Sequence, residues 1–463
     1  MYLDPQSLAP SSSPATPAPR PLRVGMIGIG TVGAGTFRVL ARNQAEIAAR
    51  AGRGIEVVVV CARNLARAVD VVGTGVALTN DPLLVATHPD VDVVVEVAGG
   101  SGPARDWVLA ALRAGRHVVT ANKALLAEHG TEIFAAARQH GVVVAYEAAV
   151  AGSIPIIKAL REGLTANRIE WLAGIINGTT NFILSRMADA GLGFAEALAQ
   201  AQALGYAEAD PTFDIEGIDA AHKLTLLAAL AHGVPLQLHK VHVEGITQLQ
   251  AIDMVCAERL GYRIKLLGVA RRRDDALAQG LELRVHPALL PATHLMAQVN
   301  GSMNAVMVQG DAAGSTLYCG AGAGSEQTAS AVIADLVDVA RLAGGAPTQH
   351  GVHAQPIAAA PAPAVLPMAA TRTRYYLRVP VADAAQGCAQ VTQALADCGV
   401  PLQTLLQHHE GPGGVGDLRA GQRHVVVLTQ VALEADVDRA LARVAGAAGV
   451  HGAAVRLRVE LLA

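Results

Sequence analysis

Charge is scarce in this chain and no sign of it dominates. Charged residues make up 16% of its 463 residues and the formal net charge is -3, so no basic footprint exists for nucleic acid or an anionic membrane. Long apolar runs are lacking as well. The longest, such as Val57 to Ala62 and Leu226 to Ala231, fall far short of the roughly 20 residues a spanning helix needs. The five cysteines, Cys61, Cys256, Cys319, Cys388 and Cys398, are scattered, odd in number and without metal-ligand spacing, which points to a reducing, cytoplasmic setting. The first twenty residues carry one arginine, Arg20, and no apolar core of a secretory signal. Residues 1–21 are expected to form a disordered tail. The remaining length suffices for about two to four domains.

Against that background one stretch stands out. Five carboxylates (Glu208, Asp210, Asp214, Glu216, Asp219) and Lys223 fall within sixteen residues. Pro211 and Gly217 keep residues 205–217 in a loop, whereas Ile218 to Ala231 reads as a helix. Asp219 and Lys223 then stand four apart on one helix face, and Glu208 can arrive from the loop. Taken alone, this is an ordinary ion pair beside a solvated acidic loop. On so apolar a helix, however, a lysine's pKa is open to perturbation, and such a lysine can trade a proton near neutrality. The carboxylates could hold the amino group of a small polar substrate.

The front of the chain supplies a partner for that chemistry. From Leu22 a short apolar run ends in Gly28-x-Gly30-x-x-Gly33 and passes straight into a helical pattern, the strand-turn-helix context of a dinucleotide fingerprint. Gly28 allows the tight turn, Gly30 lets backbone approach a pyrophosphate, and Gly33 allows close helix-strand packing. Amides at the helix start bind the anion. The next strand, Ile55 to Ala62, ends in Cys61-Ala62-Arg63-Asn64 with Arg67 beyond. An arginine without an acid suits a 2'-phosphate, so NADP is favoured over NAD.

Val91 to Val97 is a further buried strand, followed by a helix from Pro103 to Ala114. His117-Val-Val-Thr120-Ala-Asn122-Lys123 runs off a strand into a helix, and Lys123 at that exit is a candidate for the nicotinamide or substrate side. Val142 to Tyr146 reads as another strand. It leads into Glu147-Ala-Ala-Val150-Ala-Gly152-Ser-Ile154-Pro155, a turn of small residues that could aim carbonyls at a hard monovalent cation or simply cross between domains. Gly174 to Asn181 ends a strand in an Asn-Gly-Thr-Thr-Asn loop. There Asn177 and Thr179 serve turn and cap chemistry, substrate hydrogen bonding, or both.

Taken together, Gly28-x-Gly30-Thr31-Val32-Gly33, Thr120-Ala-Asn-Lys123, Glu147 to Pro155, Gly174 to Asn181 and Glu208 to Lys223 resemble homoserine dehydrogenase, from Leu22 to about Ala343. The resemblance implies an α/β fold with a Rossmann nucleotide-binding domain (22–150). It also implies an α+β substrate and dimerisation domain (151–320), with a helix returning to the nucleotide domain (321–343). The reaction implied is the reversible NAD(P)H reduction of L-aspartate 4-semialdehyde to L-homoserine, on the branch to threonine, methionine and isoleucine, in a homodimer or homotetramer and without zinc.

Carried over by position, Gly28, Ile29, Gly30, Thr31, Val32 and Gly33 bind the cofactor's phosphates, with Arg63, Gly205 and Gly324 as further cofactor contacts. Thr120 and Lys123 flank the nicotinamide. Glu208, Asp219 and Asp214, with Asn177 and Thr179, hold the substrate. Lys223 is the preferred proton donor over Lys123. Glu147, Val150, Gly152 and Ile154 match a sodium-binding loop, mostly through backbone carbonyls. Two departures fall in the glycine-rich segment Gly320 to Thr328, where Gln327 stands in place of a common proline and Glu326 adds a charge near the pyrophosphate.

Gly344 to Ala370 is rich in Ala and Pro and reads as a linker. Residues 371–463 then alternate strand, helix, strand, strand, helix, strand. That βαββαβ order resembles an ACT regulatory domain, which would bind an amino-acid effector such as threonine. Its ligand loop usually reads Asp-x-Pro-Gly, whereas this chain has Asp383-Ala-Ala-Gln-Gly387, and Gly411 to Gly421 is glycine-rich. Loss of the proline should weaken effector binding and leave a dimerisation element. Two other readings stay open: another NADP-linked Rossmann oxidoreductase of a small amino-acid intermediate, and a non-catalytic sensor of cofactor and amino acid.

Overall fold

A computed structural model describes residues 19–274, 278–344, 363–409 and 423–462. The expectations for most of the tail, most of the linker and the run Gly411 to Gly421 fall outside the described residues.

Short Val- and Ile-rich runs make the first sheet. It comprises β1 (Leu22–Ile27), β2 (Ile55–Cys61), β3 (Ala77–Thr79), β4 (Val93–Glu96), β5 (His117–Thr120) and β6 (Val144–Ala145), all parallel, in the order β3-β2-β1-β4-β5-β6. Such strands are apolar throughout because helices cover both faces. Among those helices are α1 (Thr31–Arg42), α2 (Leu65–Val72), α3 (Gly102–Arg113) and α4 (Lys123–Gln139). The order reverses between β1 and β4, and ligands of open α/β sheets bind at that crevice. The expected strand from Val142 to Tyr146 shortens to two paired residues, since Glu147–Ala149 turns at once into a 3-10 helix.

The second sheet is antiparallel through its first five strands: β7 (Ile169–Ile175), β9 (Tyr262–Asp274), β10 (Gln279–Pro291), β11 (Met303–Gly310) and β12 (Gly314–Ala321), with the short β8 (His242–Val243) on β10. Four helices, α5 (Gly178–Ala190), α6 (Phe194–Ala203), α7 (Ile218–His232) and α8 (Ala251–Arg259), contribute to the core on one face. The chain then returns through α9 (Ser325–Gly344), whose Val332, Leu336 and Val339 join the Rossmann core beside Val39 and Leu40 of α1.

The C-terminal portion follows the expected alternation: β13 (Arg372–Val381), α10 (Ala384–Asp397), β14 (Leu402–His409), β15 (Arg423–Thr429), the short β16 (Ala432–Leu433), α11 (Glu434–Ala445) and β17 (Val455–Val459). Its strands do not form a sheet of their own. β17 pairs antiparallel with β13 and parallel with β10, so one sheet of eleven strands runs β12-β11-β7-β9-β10-β17-β13-β15-β14, with β8 and β16 at its side.

Buried charge locks this junction. Arg458 of β17 is fully buried and donates to Glu244 at 2.7 Å and to Glu434, while Arg284 of β10 donates to Glu460 at 2.7 Å. Asp253 of α8 is wholly buried and accepts from Arg378 Nε at 2.7 Å, Arg378 Nη2 at 3.1 Å and the Tyr376 hydroxyl at 2.9 Å. Buried ions are tolerated only when paired and hydrogen-bonded in this way.

Removing Asp253 leaves Arg378 buried without its partner. Asp253→Ala should therefore lower unfolding stability by about 3–5 kcal/mol, read as a reduced urea midpoint, whereas Asp253→Asn should cost less because it still accepts hydrogen bonds.

Candidate active site

At the first crevice each fingerprint glycine has a spatial reason. Gly28 adopts φ 105°, and a Cβ on it would lie 2.9 Å from backbone atoms of Val97 and Ala98. A Cβ on Gly33 would lie 2.3 Å from the Gly28 carbonyl oxygen. Gly30 has open space before it and caps α1 without any side-chain hydrogen bond, so the first amides of α1 remain available to an anion. No acidic residue lies in that first turn. Ile29 and Val32 pack on the Rossmann core, and the Thr31 carbonyl accepts from Ser325 Oγ at 2.6 Å. A cavity of about 500 Å³ opens here, lined by Gly28 and Gly30 on one side and by Arg63, Arg67 and Trp107 on the others. Among the described residues, no carboxylate lines it. Open backbone, free helix amides and two guanidinium groups fit a phosphorylated dinucleotide.

Beside the crevice, Glu96 ends β4 fully buried. One of its oxygens accepts the Ala98 and Gly99 amides at 3.0 and 3.2 Å, and the other accepts the Thr120 hydroxyl at 2.7 Å. Burial pushes its pKa up. Thr120 Oγ1 also accepts the Asn122 amide at 3.0 Å, so its hydroxyl braces the loop. The Asn122 side chain caps α4 and places Lys123 at its first position.

Lys123 reaches across to the second domain, its Nζ 3.1 Å from Asp219 Oδ1. The other oxygen, Oδ2, takes Lys223 Nζ at 2.7 Å and Asn177 Nδ2 at 2.9 Å. Lys223 also donates to the Ile176 carbonyl at 2.8 Å, and Asn177 to Asp214 Oδ1 at 2.7 Å. Asp219 and Lys223 are 3% and 8% exposed, whereas the Lys123 side chain is 35% exposed. Five residues singled out in sequence thus meet at one point. Burial pushes the Asp219 carboxyl up, but Lys223 and Lys123 outweigh it and hold the group well below the usual carboxylate range. Burial pulls Lys223 down from the ordinary lysine value of 10.5, with Asp219 opposing. Burial also raises Asp214, against the Asn177 hydrogen bond.

Other expected residues stand differently. Glu208 is exposed, and no hydrogen bond or ion pair joins its carboxylate to Asp219 or Lys223; its backbone carbonyl instead accepts from Gln202 at 3.1 Å. Thr179 donates to the Tyr206 carbonyl at 2.8 Å. Gly205 follows α6 in the left-handed region, φ 74°, on an exposed turn. Gly324, φ 138°, is tied to Gln327, since a Cβ there would meet that side chain. Glu326 pairs with Arg42 in the last turn of α1 at 2.9 Å.

The Glu147 carboxylate is fully engaged, each oxygen accepting an amide, of Ile157 and of Lys158, at 2.8 Å. Among the described residues no cluster of three His, Cys, Asp or Glu side chains could hold a metal ion. Ala151 and Gly152 both turn left-handed there, φ 57° and 55°. Sequence reasoning passed over Lys265, a lysine inside the apolar strand β9. It is buried, and its Nζ donates to Val299 O at 2.6 Å, Asn300 Oδ1 at 3.0 Å and Asn181 Oδ1 at 3.1 Å. Burial pulls it down to about 8.

Comparison with known proteins follows the same division. Residues 28–147 match the family described as "Homoserine dehydrogenase, NAD binding domain" and residues 155–337 that described as "Homoserine dehydrogenase". A homoserine dehydrogenase of Pseudomonas aeruginosa is 53% identical over 96% of this chain and 100% of its own length. One of Neisseria gonorrhoeae is 48% identical over 96% and 99%. The crystal structure of a homoserine dehydrogenase from Thiobacillus denitrificans superposes with a TM-score of 0.87 at 53% identity, covering 95% of this chain and 98% of that one.

The glycine geometry carries its own test. Gly33→Ala places a Cβ against the Gly28 carbonyl and should raise the dissociation constant for NADPH at least about tenfold, which is about 1.4 kcal/mol, measured by titrating the reduced cofactor's fluorescence.

Proposed function

The chain belongs to the homoserine dehydrogenase family of NAD(P)-dependent oxidoreductases, and we propose that Lys223, held by Asp219, moves the proton of its reaction. The supporting observation is the buried Asp219 carboxylate with a lysine on each oxygen. A nicotinamide cofactor, when bound, supplies or accepts the hydride. In the direction of L-homoserine oxidation, neutral Lys223 takes the proton of the substrate hydroxyl. In the reduction of L-aspartate 4-semialdehyde, the Lys223 ammonium stabilises the oxygen that becomes negative and surrenders a proton to it. Burial brings its pKa closer to neutrality than that of a free lysine, as acid-base work requires. Lys123 is the solvent-facing partner of the pair.

Asp214, Asn177 and Thr179 line the substrate side in this reading, and exposed Glu208 closes on the substrate ammonium. Arg63, with Arg67, favours NADP through its 2'-phosphate. Sodium would sit on the backbone carbonyls of Glu147, Val150, Gly152 and Ile154. A homodimer or homotetramer would use the substrate-domain sheet. An amino-acid effector at the ACT-like portion is disfavoured. There the Asp383 carboxylate caps α10 through the Gln386 amide at 2.8 Å, and Gly387 packs where a Cβ would lie 2.6 Å from Val381. Retention of the whole lysine and carboxylate cluster weighs against a sensor without catalysis.

The decisive experiment is NADP-linked oxidation of L-homoserine by the purified protein, followed by the absorbance of reduced cofactor. Lys223→Ala should lower kcat by about 10²–10⁴-fold with NADPH affinity little changed; undiminished turnover would remove the assignment. Because neutral lysine is the active form in oxidation, the rate should rise with pH through the Lys223 pKa to a plateau. Asp219→Asn removes a charge that favours the ammonium, so the midpoint of that rise should move to lower pH. Arg63→Ala should reduce the NADP to NAD preference by about tenfold.

A further inference from the structure

The proton chemistry leaves unused a polar side chain buried beside the first residue of α5, at the substrate loop. Asn304 is fully buried, yet among the described residues neither its Oδ1 nor its Nδ2 has a hydrogen-bond partner, a condition that protein interiors seldom leave unexplained. It is the second residue of β11 and pairs with Gly320 of β12, while its neighbour Ala305 pairs with Ile175 at the end of β7. That register sets Asn304 opposite the exit of β7, where the Ile176 carbonyl accepts Lys223 and the substrate loop begins at Asn177. By strand alternation it shares the face of Val306 and Val308, the face that packs with Leu172, Ile176 and α7.

Two glycines meet the carboxamide there. A Cβ on Gly322 would fall 2.0 Å from Asn304 Nδ2 and 2.5 Å from its Oδ1, and a Cβ on Gly178, the first residue of α5, would fall 3.6 Å from Oδ1. Gly322 belongs to the segment that hands the chain to α9, and Ser325, three residues on, is bonded to Thr31 at the cofactor end of α1. Asn304 therefore lies between the substrate loop and the crossing to the cofactor domain.

We propose that Asn304 is a positioning residue for hydride transfer, gaining partners when the Gly320–Gly324 segment closes over bound nucleotide. Its carboxamide presents a donor and an acceptor side by side, the complement of a peptide unit, and the backbone at Gly322 is the unit it already faces. Once paired, the carboxamide fixes the distance between cofactor and substrate domains. The proposal rests on the homoserine dehydrogenase reading.

The test is Asn304→Leu in the full chain, similar in shape but without polar atoms, with Asn304→Ser as a second variant that keeps one donor and one acceptor. Since the carboxamide is unpaired at rest, Asn304→Leu should leave Tm unchanged or higher. It should lower kcat for homoserine oxidation by about 10- to 100-fold with KM for NADP little changed, and Asn304→Ser should retain more activity. The deuterium isotope effect on kcat, with deuterium on the carbinol carbon of homoserine, should rise as hydride transfer becomes limiting. Unchanged kcat, or a loss of kcat that tracks a fall in Tm in both variants, would overturn the proposal. A wild-type protein that fails to oxidise homoserine would remove the functional reading and this proposal with it; an active wild type with an unimpaired Asn304→Leu would remove this proposal alone.

Discussion

The candidate active site converges on one carboxylate with a lysine on either oxygen. Asp219 is almost fully buried, so its charge is tolerable only because Lys223, Lys123 and Asn177 meet it directly. These partners come from different parts of the chain. Lys223 lies one turn along α7, Asn177 begins the loop after β7, and Lys123 opens α4 in the nucleotide domain. One ion cluster therefore does two things at once: Asp219 opposes the burial that lowers the Lys223 pKa, and its contact with Lys123 ties the nucleotide crevice to the substrate helix. A family built on hydride transfer between two bound molecules needs both.

The rest of the fold holds that meeting point still. α7 is buried along nearly its whole length and packs on the second sheet, so Asp219 and Lys223 have little freedom to drift apart. That sheet is extended by the C-terminal strands through β17, and the seam is closed by Arg458, Arg284 and Asp253 with their partners. The C-terminal portion is thus joined to the substrate domain by backbone ladder and buried charge.

Much of this was legible in the sequence where local chemistry decides it. The glycine spacing, the acidic loop leading into an apolar helix and Lys123 at a strand exit all carry local physical reasons, and Asn177, Asp214, Asp219, Lys223 and Lys123, each singled out in the sequence, lie in contact with one another. What was not legible depends on distant partners. Strand β17 meets β10 through peptide groups that every residue has, so no side-chain pattern announces the merged sheet. Glu147 looks like a free charge until the amides of Ile157 and Lys158 are seen to occupy both oxygens. Glu326 looks misplaced until Arg42 is found beside it. Glu208 sits four residues after the start of an exposed turn, and nothing local says where its side chain rests. Asn304 carries no motif at all; the glycines it meets, Gly322 and Gly178, are 18 and 126 residues away in sequence.

The central claim is that Asp219 and Lys223 act as a unit, and a double-mutant cycle on kcat for L-homoserine oxidation tests it most directly. With Asp219→Asn, Lys223→Ala and the double variant compared, the account expects strong non-additivity, the second substitution costing little once the first is made. Additive losses would mean that the two residues contribute separately, and the account of a carboxylate-held proton carrier would be wrong.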